Sequence, residues 1–332
     1  MVSTTRRRLI TSMGALSVGS GLGISAPTVL AQGSLGDYPN RPIKIIVPLA
    51  AGGGGDLTAR QLALHLTDRL GVPVVVENRP GAGGSIGTHA AIKSPPDGYT
   101  LVMLSSSHTC NAALRELPFD SINDIEPITL FKRESLILIG NKDLPVKSFG
   151  ELVDWAKREP GIVTYGSSGV GGITHLSMEH LADLAGIKLN HVAYKGTGPA
   201  LQDTIGGTVN LMFSSVAIVV PVVQEKRAIG LGIADARIPA LPDVPSFKEA
   251  GVPGFKSDLW HAVAGPKGIP KEIVARLNKE MAEVLKSPQM QERIQSEGST
   301  PVGGSPEQLL ETISADIAQW KDVIRKADIK AT

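Results

Sequence analysis

Val47-Pro-Leu-Ala-Ala-Gly-Gly-Gly-Gly-Asp-Leu-Thr-Ala-Arg60 is the stretch whose reading decides the fold. The residues that lead into it, Ile43 to Val47, are an apolar strand. After four glycines, Asp56 opens a helical pattern through Leu57, Ala59, Leu62, Ala63 and Leu66 that stops near Gly71. A strand, a glycine loop and a helix in succession leave backbone N–H groups unpaired at the helix N-terminus. The positive end of the helix dipole lies there too, so the turn favours an anion. Tyr165-Gly-Ser-Ser-Gly-Val-Gly-Gly-Ile-Thr174 repeats the arrangement, with a helix from about Ile173. The two stretches predict two α/β units that each present one loop to a shared ligand.

The surrounding pattern supports this. Strands at Val74–Val76 and Thr100–Leu104, with a helix from about Ile86 to Lys93 between them, give a βαβαβ order. That order implies a parallel sheet with right-handed crossovers. Ser148 and Glu151 form a capping box before Leu152, Val153 and Ala156. Strands follow at Ile162–Tyr165, His191–Tyr194, Val209–Phe213 and Ala228–Ile233. Ile128–Phe131 with Leu136–Ile139, and Asp258–Ala264, are placed to carry the chain between the units. Pro270 opens one late helix, and Ser305, Pro306 and Gln308 cap the last.

Composition narrows the function. Net charge is +1 and aromatics are 4% of 332 residues, which offers neither an electrostatic footprint nor stacking platforms for nucleic acid. Residues 1–31 carry Arg6, Arg7 and Arg8 and no acid. This twin-arginine-like start, the weakly apolar run from Met13 to Ile24 and Val29-Leu30-Ala31 predict an export signal cleaved after Ala31. The run is too short and too interrupted to span a membrane. Cys110 stands alone, so no intramolecular disulfide forms, and it reads as a small buried residue near a helix start.

Catalytic and cofactor motifs are incomplete. Gly81/Gly83, Gly52/Gly54 and Gly169/Gly171 each lack the third glycine of a dinucleotide loop, and no loop continues into Lys-Ser/Thr. Gly166-Ser-Ser-Gly169 lacks the spacing of a nucleophile elbow. The histidines show neither His-x-x-x-His nor HExxH, so no metal is expected. His175 reads as a residue supporting the second loop, and His108, after the third strand, as a candidate pocket residue. Asp56 is placed to cap its helix and to pair with Arg60 four residues on. An anion would then be held mainly by neutral backbone donors.

These residues carry a resemblance. Tyr38-Pro-Asn-Arg-Pro-Ile43, Ala51-Gly-Gly with Asp56, Val76-Glu-Asn-Arg-Pro-Gly-Ala-Gly-Gly84, Pro96-Asp-Gly-Tyr-Thr-Leu101, Tyr165-Gly-Ser-Ser-Gly169, Val192-Ala-Tyr-Lys-Gly196 and Leu241-Pro-Asp-Val-Pro245 occur in order. So arranged, the chain resembles Bug-type receptors of the tripartite tricarboxylate transporter family. The resemblance implies a type II periplasmic-binding-protein fold, with two α/β domains, two crossover strands and the ligand cleft between them. It implies a domain 1 of residues 32–133 and 258–332, a domain 2 of residues 134–257, and hinges near residues 128–139 and 254–264. It implies a monomeric periplasmic receptor without cofactor that captures a small organic carboxylate for membrane permease subunits or a sensor domain. A periplasmic hydrolase using Ser168 or His108 is the alternative.

The expected ligand contacts start with Ala51, Gly52, Gly53, Gly54 and Asp56 in the first loop. The second loop supplies Ser167, Ser168, Gly169, Gly171, Gly172 and Thr174. Ser106, Ser107 and His108 follow the third strand, and Ser214 ends a later one. Ser85 stands where Asn is common in the family. Lys195 is the nearby cation expected to serve a second carboxylate.

Overall fold

The computed structural model describes residues 38–330; the expected export signal lies outside the described residues. The first lobe begins with β1 (Ile43–Val47), α1 (Gly54–Leu70), β2 (Val74–Asn78), α2 (Ser85–Ile92), β3 (Thr100–Ser105), α3 (Ser107–Leu114) and β4 (Ile125–Glu134). Parallel pairing of β1 with both β2 and β3 places the C-terminal ends of β1 and β3 on one edge, where α1 and α3 start. These strands are apolar on both faces because helices cover both.

After Ser135 the chain enters a second lobe. It comprises β5 (Leu136–Asn141), α4 (Phe149–Arg158), β6 (Thr164–Ser167), α5 (Ile173–Ala185), β7 (Asn190–Ala193), α6 (Thr197–Gly206), β8 (Leu211–Ser215), α7 (Val216–Gln224) and β9 (Ala228–Ile233). Its five-stranded sheet runs in the order β7-β6-β8-β5-β9. The chain then returns through β10 (Leu259–Pro266), α8 (Lys271–Lys286), α9 (Pro288–Ser296), β11 (Ser299–Pro301) and α10 (Pro306–Lys326). The six-stranded first sheet has the order β11-β4-β10-β3-β1-β2, with β10 antiparallel to both its neighbours.

Two local differences from the sequence expectation have clear causes. Helix α1 starts at Gly54, two residues before Asp56, because the extended Gly53 (φ −90°, ψ 167°) is the N-cap. Asp56 lies in the first turn and reaches back, accepting the Gly52 N–H at 3.0 Å. Strand β4 runs on to Glu134, past the apolar segment, because its buried charges have partners: Lys132 Nζ lies 3.2 Å from Glu297 and 3.7 Å from Glu134. Helix α10 spans both cores. Leu309 and Ile313 pack with the first sheet, whereas Trp320 and, just past the helix end, Ile329 join the apolar cluster around α5. Among the described residues no helix is long and apolar enough to cross a membrane.

Candidate functional site

A cavity lies between the lobes where strand ends from both sheets converge. Val47 to Leu49 after β1, Leu104 and Ser105 of β3, Ser168 after β6, Thr197 after β7 and Ser215 of β8 all face it. This is the edge where α/β sheets bind ligands. Most of the wall is apolar, including Met103, Phe119, Leu136, Ile173, Ile218 and Leu259. Among the described residues, no Lys, Arg, Asp or Glu lines it.

The lobes touch across the mouth. Ala50 N–H donates to Lys195 O at 2.9 Å, and Ile173 N–H donates to Ser107 Oγ at 3.1 Å. Arg115 of the first lobe donates to Val170 O of the second at 3.2 Å, to Ala82 O at 2.7 Å and to Asn111 Oδ1. Gly83, at φ +63°, sits so close to the second loop that a Cβ on it would lie 2.5 Å from Val170 O.

Of the residues expected from sequence, Gly54, Ser85, Ser107, His108, Ser168 and Thr174 line the cavity. The others do not. Gly52 gives its N–H to Asp56, and Asp56 is ion-paired with Arg60 at 3.0 Å, as the i,i+4 spacing predicts. Burial pushes the Asp56 carboxyl up, but hydrogen bonds from Arg60, Gly52 and Asn78 outweigh it and hold the group below its usual range. Ala51 and Gly53 face the Thr197–Gly198 turn instead. Ser106 is structural: its hydroxyl donates to Asp258 O and accepts from Trp260 N–H. Ser214 is fully buried behind the wall. Lys195 lies on the far side of the loops, in a separate recess with Arg115 and Tyr194, because its carbonyl is turned inward to Ala50.

The second loop also corrects the expectation of free backbone donors. Ser168 N–H goes to Thr174 Oγ1 (2.9 Å), Gly169 N–H to Ser167 Oγ (3.1 Å) and Gly171 N–H to His175 Nδ1 (3.3 Å). Gly172 N–H goes to Gly169 O and Ile173 N–H to Ser107. The loop is therefore built from its own amides, and Gly169, Gly171 and Gly172 shape it without facing the cavity. What it offers a ligand is the Ser168 and Thr174 hydroxyls and the Thr174 N–H, one of the amides that a helix start leaves without an intrahelical acceptor. Helix α1 likewise leaves the N–H groups of Gly54 and Gly55 at the cavity.

Nucleophilic chemistry finds no assembled site among the described residues. Ser168 Oγ pairs with Thr174 Oγ1 at 2.9 Å and not with a histidine. His108 Nε2 is 2.8 Å from Ser121 O, and burial holds the ring neutral by lowering its pKa. Ser167 does meet His191 Nε2 at 2.6 Å, but it is fully buried behind the loop. His191 stacks on His175 at 4.2 Å. Cys110 is fully buried and burial pushes its thiol pKa up, away from a reactive thiolate. Among the described residues no group of three or more His, Cys, Asp or Glu side chains is arranged to hold a metal.

Sequence reasoning missed Ser215, His261 and, behind them, Glu134. Ser215 and His261 line the cavity beside Gly54 and Gly55. A histidine inside the apolar run of β10 was the available signal for one of them.

Residues 58–329 match the model of the tripartite tricarboxylate transporter family receptors. The chain belongs to this family. It is 36% identical over 314 residues to protein BugT of Bordetella pertussis, covering 93% of this chain and 96% of that one. Among solved structures, R. palustris Rpa4515 with adipate has a TM-score of 0.85 and 33% identity, covering 89% of this chain and 99% of that one. MatC from Rhodopseudomonas palustris, with bound malate, has a TM-score of 0.83 and 30% identity, covering 86% and 100%. The type II two-lobed receptor architecture expected from sequence is borne out by these matches, as is the family.

Proposed function

We propose that this family receptor works outside the cytoplasm, capturing a small organic carboxylate between its lobes and handing it to a membrane permease or a sensor domain. The observation that carries the reading is the cavity itself. It is closed over by both lobes, mostly apolar, and supplied with neutral hydrogen-bond donors: the Gly54, Gly55 and Thr174 amides and the Ser107 and Ser168 hydroxyls. Hydrogen bonds to a charged group contribute about 1.5–3 kcal/mol each. Micromolar affinity needs about 8 kcal/mol net. At the upper value, four to six such bonds supply about 12–18 kcal/mol, enough to leave that much after association and closure costs of several kcal/mol are subtracted. Adipate and malate in the related receptors make mono- and dicarboxylates the first acids to try.

Capture and release need the lobes to separate. Ser135 between β4 and β5, and the segment between β9 and β10, are where the chain crosses from one sheet to the other and where rotation would concentrate. The test is a thermal-shift and calorimetry panel of organic acids on ligand-stripped protein, with the bound acid recovered and identified by NMR. Saturable binding with the acid returned unchanged supports a receptor; conversion to a product supports an enzyme. Intact-mass analysis of exported material is expected to show Gln32 as the first residue.

A further inference from the structure

Outside the cleft the two lobes form a second recess, on the far side of the loops that close over the cavity. Gly81 to Gly83 and Arg115 line it from the first lobe, and Val170, Tyr194 and Lys195 from the second. About 350 Å³ is accessible in it, room for a small ion with its waters. Among the described residues no Asp or Glu lines it.

Both cations of the recess lack a counter-charge. Arg79, two residues before the Gly81 wall, is ion-paired with Glu77, and Arg60 with Asp56. Arg115 and Lys195 have no such partner among the described residues. Asp203, the acid nearest in sequence to Lys195, accepts from the Tyr194 hydroxyl at 2.6 Å instead. Arg115 is held in place by neutral acceptors alone, Ala82 O, Val170 O and Asn111 Oδ1. Its Nε is buried without a partner. Burial lowers the Arg115 pKa, and no carboxylate offsets it.

Closure therefore brings a guanidinium of one lobe and an ammonium of the other to the same recess. Like charges oppose that approach. Lys195 is exposed and Arg115 half-buried, so water and salt weaken the repulsion without removing it. An anion seated between the two reverses the sign, because it meets both lobes at once only when they are together. A compact oxyanion with two charges suits the pair best. Its separate oxygens accept from separate donors, and the planar guanidinium fork matches them in geometry. A neutral solute can accept the same hydrogen bonds but leaves both charges unbalanced.

We propose that this recess is a second binding site, for a dianionic oxyanion of the sulfate or phosphate class held by Arg115 and Lys195, and that its occupancy strengthens capture in the cleft. The linkage to the cleft rests on the carboxylate-capture reading, whereas the site itself does not. By reciprocity, acid in the cleft strengthens binding of the oxyanion by the same factor.

The test is a calorimetric titration with sodium sulfate, compared with sodium chloride at equal ionic strength, on acid-free protein and on protein saturated with the tightest-binding acid of the panel. Saturable sulfate binding that chloride does not reproduce is expected. Saturating sulfate is expected to tighten acid binding roughly two- to fivefold, the scale of an exposed ion pair. Lys195→Met is expected to fold as wild type, since the Lys195 side chain is exposed and makes no hydrogen bond or ion pair among the described residues. It should abolish the sulfate effect and leave acid affinity in chloride within twofold of wild type. Ser168→Ala, in the cleft, should keep sulfate binding. Absence of saturable sulfate binding to wild type overturns the site, and so does sulfate binding that Lys195→Met leaves unchanged. Loss of sulfate binding in Ser168→Ala, or competition between sulfate and the acid, places the ion in the cleft and overturns it too. Sulfate that binds at the recess without tightening the acid overturns the linkage. If no acid of the panel binds, the capture reading fails and the linkage with it, while the sulfate titration of wild type against Lys195→Met still decides the site.

Discussion

Gly83→Ala turns the contact between the lobes into a wedge. The residue belongs to the first lobe, and its Cβ position meets the carbonyl oxygen of Val170 in the second at 2.5 Å. Ordinary contact begins at 3.4 Å, so the lobes must separate by about 0.9 Å at that point. Two hydrogen bonds between the lobes lie close by, Ser107 with Ile173 at 3.1 Å and Arg115 with Val170 at 3.2 Å. A retreat of that size takes both beyond hydrogen-bonding distance. At about 0.5–1.5 kcal/mol net each, their loss weakens closure by roughly 1–3 kcal/mol. That corresponds to about 5- to 150-fold in affinity for a bound acid. The left-handed backbone at Gly83, φ +63°, adds a separate cost of about 1–2 kcal/mol for alanine in any state of the cleft. The two effects part experimentally: urea melts without ligand read the second, and calorimetry reads the first. Scattering in the presence of saturating acid should show a wider particle than wild type. A Gly83→Ala protein that binds as tightly as wild type and closes to the same dimensions would refute the account.

Thr174→Val keeps the shape of the side chain but strands the buried Ser168 N–H, which now bonds Thr174 Oγ1 at 2.9 Å. A cost of about 1–3 kcal/mol in stability is expected in denaturant melts, with affinity for the acid falling at least as steeply; unchanged binding would show that Thr174 is not part of the grip. Burial lowers the His175 pKa to about 3, with His191 and Arg115 adding to it, and burial lowers that of His191 to about 4. Both rings are neutral when folded but take up protons below about pH 6.5 once unfolded. Stability is therefore expected to fall as pH drops from 6.5 to 5, by up to about 1.4 kcal/mol per pH unit for each ring, before most carboxylates titrate. A flat urea midpoint over that window would show that the pair is not buried neutral.

The sequence exposes those parts of the site that depend on local chain chemistry. The glycine turn into a helix and the Asp56–Arg60 ion pair are legible because each relation spans four residues or fewer, although the helix takes in Gly54 and Gly55 and so starts two residues before Asp56. The parity of a strand end is harder. Ser214 and Ser215 are equivalent as text, yet successive strand side chains point to opposite faces, and it is Ser215 that reaches the cavity. The second loop shows its glycines plainly but not where their amides go. That depends on Ser107, Thr174 and His175, brought in by other turns and by the other lobe. Glu134 with His261 was the least legible feature. The two lie on antiparallel neighbours distant in sequence; Glu134 ends the charged run Lys132-Arg133-Glu134 and reads as a solvated strand end, whereas His261 looks like an isolated polar residue in an apolar strand.

The position of β10 has a consequence for how the chain assembles. The second sheet is complete once residues 136–233 are available, so that lobe holds all of its own strands in one continuous segment. The first sheet is split by that segment, and of the two strands it then lacks one is interior: β10 separates β4 from β3, whereas β11 is an edge. Until residues 259–266 arrive, β3 has one bare edge and β4 has no partner. Exposed edges of this kind recruit other chains. The N-terminal half of the polypeptide, though made first, is thus the half that must be kept from premature pairing, and the order of synthesis runs opposite to the order in which the lobes can be finished.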